Sequence, residues 1–250
     1  MKAMVFANWK MNPKTFREAK KLFEETKKMS QKARGLSVIV APPSIYIREL
    51  SALNKGGKVA LGVQHARAEE GGAHTGDISL AQARDAKVSY VLIGHAERRA
   101  QGETNDDTRR KVAAALAAKI TPVLCVGEEV RTASGEYFEV IREQLRIALK
   151  DVPSTKLSKV VIVYEPIWTV GKDTTMNPRD MHEMSIFIRK AVVEAYGDEG
   201  HNLTILYGGS VDDSNAAAML SEGDVKGLLI GRAGLDASEF SRLLQVISQT

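Results

Sequence analysis

The run Val160-Val161-Ile162-Val163-Tyr164, closed by Glu165-Pro166, decides the fold. Five apolar residues stand together without the polar alternation of a half-exposed strand. A strand of this kind is covered on both faces, as in parallel sheets. Similar short runs occupy residues 4–7, 36–41, 59–63, 90–93, 122–126, 203–207 and 227–230. The eight runs end near Asn8, Ala41, Gln64, Gly94, Gly127, Glu165, Gly208 and Gly231. Their mean spacing is about 32 residues, the size of one strand–helix–strand step. The intervening stretches read as helices. Phe16, Ala19, Phe23 and Thr26 share one face, and residues 105–119 are charged early and alanine-rich late. Asn177-Pro178-Arg179-Asp180 reads as an N-cap followed by a first-turn proline, opening a helix to about Tyr196. Eight regular steps predict a closed (β/α)8 barrel of parallel strands, because an open sheet would leave two edges to protect. The rival is a doubly wound open sheet, which usually carries a glycine-rich phosphate loop after its first strand. Here the first run passes into Asn8-Trp9-Lys10, and the chain holds no GxGxxG or Walker pattern.

The composition agrees with one such unit. Of 250 residues, 44% are hydrophobic and 26% charged, enough apolar chain for a sizeable core. The eight steps use the whole length, so residues 1–250 are expected as a single barrel domain. One cysteine, Cys125, excludes an internal disulfide and a Cys-rich zinc site, and fits a reducing compartment. It lies inside an apolar run and is expected in the core. The formal charge of +4 has a local origin, since residues 1–35 carry ten Lys/Arg against three Asp/Glu. A surplus confined to one helical stretch reads as a solvated face, not a nucleic-acid footprint. No apolar run has signal-peptide or membrane-spanning length, so neither secretion nor membrane insertion is expected, and the cytoplasm is.

Barrel active sites lie at the C-terminal strand ends. Those ends carry Asn8 and Lys10, then His95 and Glu97, then Glu165. Glycine-rich turns follow the last two runs, Gly208-Gly209-Ser210 and Gly231-Arg232-Ala233-Gly234. Glu165 stands between an apolar strand and Pro166-Ile167-Trp168, surroundings that raise a carboxyl pKa and suit a general base; an ion-paired buried glutamate reads equally well. His95 opens a polar stretch where the positive end of a helix dipole disfavours imidazolium, leaving a neutral donor for a carbonyl, although a structural role is the commoner one. Glu97, Arg98 and Arg99 also read as a surface ion-pair cluster. Lys10 is either solvated or a fixed cation for an anionic substrate, and the glycine turns let backbone N–H groups approach an anion. Residues 166–178 form a long connection beside the candidate base, fit for a lid. No HExxH, EF-hand or Cys/His cluster and no GxSxG elbow is present, so neither a metal nor a serine nucleophile is expected.

Six segments in order carry a more specific likeness: Asn8-Trp9-Lys10-Met11-Asn12, Gly72-Ala73-His74-Thr75-Gly76, Ile93-Gly94-His95-Ala96-Glu97-Arg98-Arg99, Pro122-Val123-Leu124-Cys125-Val126-Gly127-Glu128, Tyr164-Glu165-Pro166-Ile167-Trp168 and Leu206-Tyr207-Gly208-Gly209-Ser210-Val211. Along essentially its whole length the sequence resembles the triosephosphate isomerases, the family after which the TIM barrel is named. The resemblance implies interconversion of dihydroxyacetone phosphate and D-glyceraldehyde 3-phosphate through an enediol(ate), a step of glycolysis and gluconeogenesis, without a cofactor. It implies Glu165 as the base, His95 as the neutral electrophile, and Lys10 with Asn8 holding substrate. Glu97 would support Lys10 and His95, while Gly171, Ser210, Gly231 and Arg232 would hold the phosphate and residues 166–176 would close over it. It also implies a homodimer through the loop from His65 to Ser79, with Thr75 reaching the neighbour. Three departures stand out. Ala96 replaces the usual serine, which puts the resting position of Glu165 in question; Lys172-Asp173-Thr174 replaces Thr-Gly-Lys in the lid; Gly231-Arg232-Ala233-Gly234 replaces Gly-Gly-Ala-Ser. An epimerase or aldolase on the same fold, or a non-catalytic barrel, are the alternatives. A Schiff-base aldolase would want lysine where Glu165 stands, a metal-dependent epimerase clustered ligands, and a non-catalytic barrel the loss of Lys10, His95 or Glu165.

Overall fold

A computed structural model describes residues 2–171 and 174–250. Eight strands close into one parallel barrel in sequence order: β1 (Ala3–Asn8), β2 (Leu36–Ala41), β3 (Val59–Val63), β4 (Tyr90–Ile93), β5 (Thr121–Val126), β6 (Val161–Tyr164), β7 (Thr204–Tyr207) and β8 (Gly227–Ile230). Closure is made by β1, which pairs with β2 from Ala3↔Leu36 to Asn8↔Ala41 and with β8 from Met4↔Gly227 to Ala7↔Ile230. The open-sheet alternative is thereby excluded. Helices α1 (Phe16–Lys32), α2 (Ile47–Leu53), α3 (Leu80–Asp85), α4 (Ala96–Ala100), α5 (Asn105–Ala117), α6 (Glu136–Ala148), α7 (Pro178–Tyr196), α8 (Ala216–Glu222) and α9 (Ala237–Gln249) wrap the strands. Their starts follow local chemistry. Thr15, Ser79 and Thr104 close capping boxes on α1, α3 and α5, and Asn177 caps α7 with Pro178 in its first turn.

Two apolar layers explain the unbroken runs. Phe6, Ile39, Leu92, Val123, Cys125, Val161, Val163, Leu206 and Leu229 fill the barrel interior, while their strand neighbours Leu124, Val126, Ile162 and Tyr164 pack outward under the helices. Cys125 is fully buried, as its run implied. Period-two alternation then fixes what stands at the barrel mouth. Continuing Phe6, Val163 and Leu229 by two residues gives Asn8, Glu165 and Gly231; continuing Leu92, Cys125 and Leu206 gives Gly94, Gly127 and Gly208. Polar groups and absent side chains therefore share the top layer, which opens a pocket above a solid core.

Candidate active site

Asn8, Lys10, His95, Glu165, Gly171, Ser210, Gly231 and Arg232, drawn from five strand ends, line one pocket together with Val170, Gly208, Gly209, Val211 and Leu229. It encloses about 530 Å³ of open space. Glu97 lies one step outside it, with its carboxylate on the Lys10 ammonium at 2.6 Å. Leu229 and the valines had no distinguishing mark in the sequence.

Lys10 is held in a left-handed backbone conformation, φ +51°, uncommon for a residue with a side chain. Two side chains hold it there. The Lys10 N–H donates to Asn8 Oδ1 at 3.0 Å, and Gln64 Nε2 donates to the Lys10 carbonyl at 2.8 Å and to the Ala41 carbonyl at 2.9 Å. The Lys10 arm thus enters the pocket from a pinned backbone and passes over Gly231, where an added Cβ would stand 3.6 Å from Lys10 Cε.

Gly94, at φ +71°, breaks the strand so that His95 can cap α4. The Glu97 N–H donates to His95 Nδ1 at 3.2 Å, which assigns the ring proton to Nε2. That nitrogen faces Glu165 Oε1 at 3.0 Å. Glu165 Oε2 accepts from the Ala96 N–H at 2.9 Å. Residue 96 therefore holds the carboxylate through its backbone, which settles where Glu165 rests without a serine hydroxyl. Both side chains are almost wholly buried. Burial raises the Glu165 pKa; His95, the Ala96 N–H and Lys10 oppose the rise, and Glu97 adds to it. A carboxylate so placed can take a proton from a weak acid, and the histidine, neutral in this bonding pattern, can donate a hydrogen bond to a developing oxyanion.

The surface-cluster reading of residues 97–99 is corrected by the geometry. Glu97 pairs with Lys10, Arg98 bonds Gln101, and Arg99 turns inward onto backbone carbonyls. Beneath Glu165, Gly127 packs so closely that an added Cβ would stand 1.8 Å from the Glu165 carbonyl oxygen. Gln144 of α6 holds Gly127 by a reciprocal pair of bonds, 2.9 Å from its N–H and 3.0 Å to its carbonyl. The buried Glu128 accepts from Tyr164 Oη at 2.8 Å and from Trp168 Nε1 at 2.9 Å, and its carbonyl accepts from the Ile167 N–H at 3.0 Å. The start of the 166–176 connection is anchored in this way. Lys172 and Asp173, the altered part of the expected lid, lie outside the described residues. Among the described residues, no group of three His, Cys, Asp or Glu could hold a metal ion.

The family model for triosephosphate isomerase matches residues 3–247. The chain belongs to the triosephosphate isomerase family. Curated triosephosphate isomerases from Caldanaerobacter subterraneus subsp. tengcongensis and Endomicrobium trichonymphae are each 38% identical to it. The first spans 96% of this chain and 98% of the relative, the second 98% of both. The triosephosphate isomerase of Shewanella sp. strain W3-18-1 is 40% identical over 97% of this chain and 96% of its own length. The chain covers nearly the whole length of each of these relatives. Gln64, Glu128 and Gln144 form the supporting layer of this site. In the sequence this layer shows only as the position of Gln64 at a strand end and of Glu128 within a shared segment.

Proposed function

We propose that the chain interconverts dihydroxyacetone phosphate and D-glyceraldehyde 3-phosphate by moving a proton between adjacent carbons, as a step of glycolysis and gluconeogenesis. The observation that carries this reading is the buried Glu165 carboxylate, its pKa raised, in contact with an imidazole whose remaining proton lies on Nε2. The substrate carbonyl takes the place of Glu165 at His95 Nε2, which frees the carboxylate to face the carbon acid. Glu165 then removes the carbon-bound proton. The oxygen that gains charge is met by the His95 N–H and the Lys10 ammonium; the imidazole gives it the Nε2 proton and recovers one from the neighbouring hydroxyl, so the charge moves to that oxygen and Glu165 reprotonates the other carbon as the aldehyde forms. Asn8 fixes Lys10, and Glu97 orients its ammonium. Backbone groups at Gly171, Ser210, Gly231 and Arg232 hold the phosphate, the last two at the start of a short 3-10 turn. Residues 166–176 close over the substrate, because an enediolate exposed to water and free to rotate loses phosphate.

The working unit in this reading is a cytoplasmic homodimer joined through the loop from His65 to Ser79. Support comes from two exposed apolar side chains, Met11 at 91% and Ile45 at 76% exposure, and from a groove in which Ile47, Val63 and Ile78 stand with Arg48, Asp77 and Asp85. No described helix is long and apolar enough to cross a membrane. The activity is tested by incubating the purified chain with dihydroxyacetone phosphate in D2O and following the products by NMR. Glyceraldehyde 3-phosphate carrying deuterium at the carbon next to its aldehyde is the expected product, since a carboxylic acid exchanges its proton with solvent. Conversion no faster than in buffer alone would refute the reading.

A further inference from the structure

Among the described residues Arg99 has no ion-pair partner. Its side chain is half-buried, and each hydrogen bond it makes is to a neutral oxygen: Nε to the Gly94 carbonyl at 2.8 Å, Nη1 to Asn105 Oδ1 at 2.7 Å and Nη2 to the Cys125 carbonyl at 3.3 Å. Among the described residues no carboxylate lies within ion-pair distance of it. The nearest candidate, Glu103, is already engaged, accepting from the Gly94 N–H at 3.1 Å and from the Lys111 ammonium. A charge withdrawn from water normally takes a partner, because desolvation is costly when nothing repays it. The cost is visible here, as burial pushes the guanidinium pKa down while the carboxylates of Glu103 and Glu165 oppose this. The group nevertheless remains charged.

Two consequences follow from where this cation stands. The bonds to Gly94 and Cys125 tie the residue preceding His95 to the inward edge of β5, so the imidazole projects from a clamped backbone. The positive charge also stands beside the segment that holds the base, since the guanidinium bonds the Gly94 carbonyl and Ala96, two residues on, gives its N–H to the Glu165 carboxylate at 2.9 Å. The other charged or titratable groups facing Glu165 are His95 and Glu97 on the β4–α4 segment, Lys10 after β1, and the Cys125 thiol on β5. We propose that Arg99 is a positioning residue for the proton transfer: it fixes the backbone that carries His95 and supplies, through the wall of the pocket, a positive charge that steadies the Glu165 carboxylate. The identity of residue 105 is part of the arrangement. An amide there holds the guanidinium without cancelling its charge. The inference rests on Glu165 acting as the base.

Asn105→Asp separates charge from geometry, since it keeps an oxygen acceptor for Nη1 and adds the missing counter-charge. The profile of kcat/KM against pH is measured for wild type, Asn105→Asp, Arg99→Lys and Arg99→Met, with Glu165→Gln as control. The substrate phosphate titrates identically in all of them, so differences between acid limbs belong to the enzyme. Weakening the positive field raises the Glu165 pKa, and activity is then lost at higher pH as acidity increases. Asn105→Asp is expected to fold as wild type, with its acid limb moved to higher pH by roughly half a unit. Arg99→Met moves the limb further in the same direction and lowers kcat roughly tenfold or more with little change in KM. Arg99→Lys keeps the limb near wild type but loses kcat, because an ammonium cannot hold three acceptors in one plane. Acid limbs of Asn105→Asp and Arg99→Met coincident with wild type would leave Arg99 a purely structural residue and overturn the proposal. If Arg99→Met fails to fold, Asn105→Asp decides alone. Full activity in Glu165→Gln would instead remove the base assignment, and this inference with it.

Discussion

Glu165 meets both of its resting partners on one short segment, His95 through the ring and Ala96 through the backbone. The chain therefore needs no hydroxyl at residue 96 to hold the carboxylate, and adding one should hold it more tightly. Ala96→Ser gives the resting glutamate a further donor, with about 1 kcal/mol at stake. Detachment from the resting position becomes harder and the charged form more favoured. We expect kcat to fall roughly fivefold and the acid limb of kcat/KM to move to lower pH, both read from steady-state assays across pH; unchanged values would show that the backbone N–H already saturates this position. At this scale the sequence is informative where a residue's role follows from its own position. Lys10, His95 and Glu165 are marked by standing just past apolar runs. Arg99 and Gln144 are not, and the place of Gln64 at a strand end does not reveal its task, because what these three do depends on carbonyls and amides 5 to 54 residues away that only the folded chain brings near.

At the level of elements, the alternation of β-strands does two jobs at once. It fills the barrel with Phe6, Val123, Val163 and Leu229 and delivers Asn8 and Glu165 to the mouth, with glycines at the intervening top positions. Gly127 is the tightest of these. Gly127→Ala would drive a Cβ against the Glu165 carbonyl, backbone against backbone, where no side-chain rotation relieves it. The expected cost is about 2–3 kcal/mol in denaturant unfolding, and a fall in kcat of roughly tenfold or more as β6 shifts under the base. A fall in stability with kcat unchanged would separate the packing of β6 from the placement of Glu165. The strands themselves were legible because both of their faces are apolar, and α7 because Asn177 and Pro178 spell its start locally. What an apolar run cannot reveal is which of its residues face the barrel interior and which the helices, since period-two alternation is hidden when both faces are apolar. That choice decides why Glu165 points into the pocket.

For the whole molecule, closure of the sheet gathers ionisable groups on one flank as well as at the mouth. His65 sits with Nδ1 3.4 Å from Lys111 Nζ and Nε2 3.5 Å from an Arg98 nitrogen, and Asp77 lies 3.6 Å from it. Burial, with the two cations, lowers its pKa from 6.5 to about 4. The unfolded chain then binds this proton before the folded one, so folded stability is full above pH 6.5 and declines as pH falls towards 4. His65→Gln should flatten that part of the stability profile, by on the order of 1–2 kcal/mol once solvent screening is counted, as followed by urea unfolding between pH 7 and pH 4. An equally steep decline in the variant would assign the effect to other groups. The proposed dimer is a property of the same scale. Sedimentation should find a species of twice the chain mass, and a fully active monomer would contradict the role given to the loop from His65 to Ser79.

The proposed reaction requires the buried glutamate at the end of β6 to move the substrate's proton. A coupled assay of dihydroxyacetone phosphate isomerisation, run on wild type and on Glu165→Gln, puts this to the test. The amide keeps the size and the hydrogen-bonding reach of the side chain but cannot accept a proton from carbon. A loss in kcat of about a thousandfold, with KM near the wild-type value and an intact fold, is the predicted result. Activity retained at the wild-type level would contradict it.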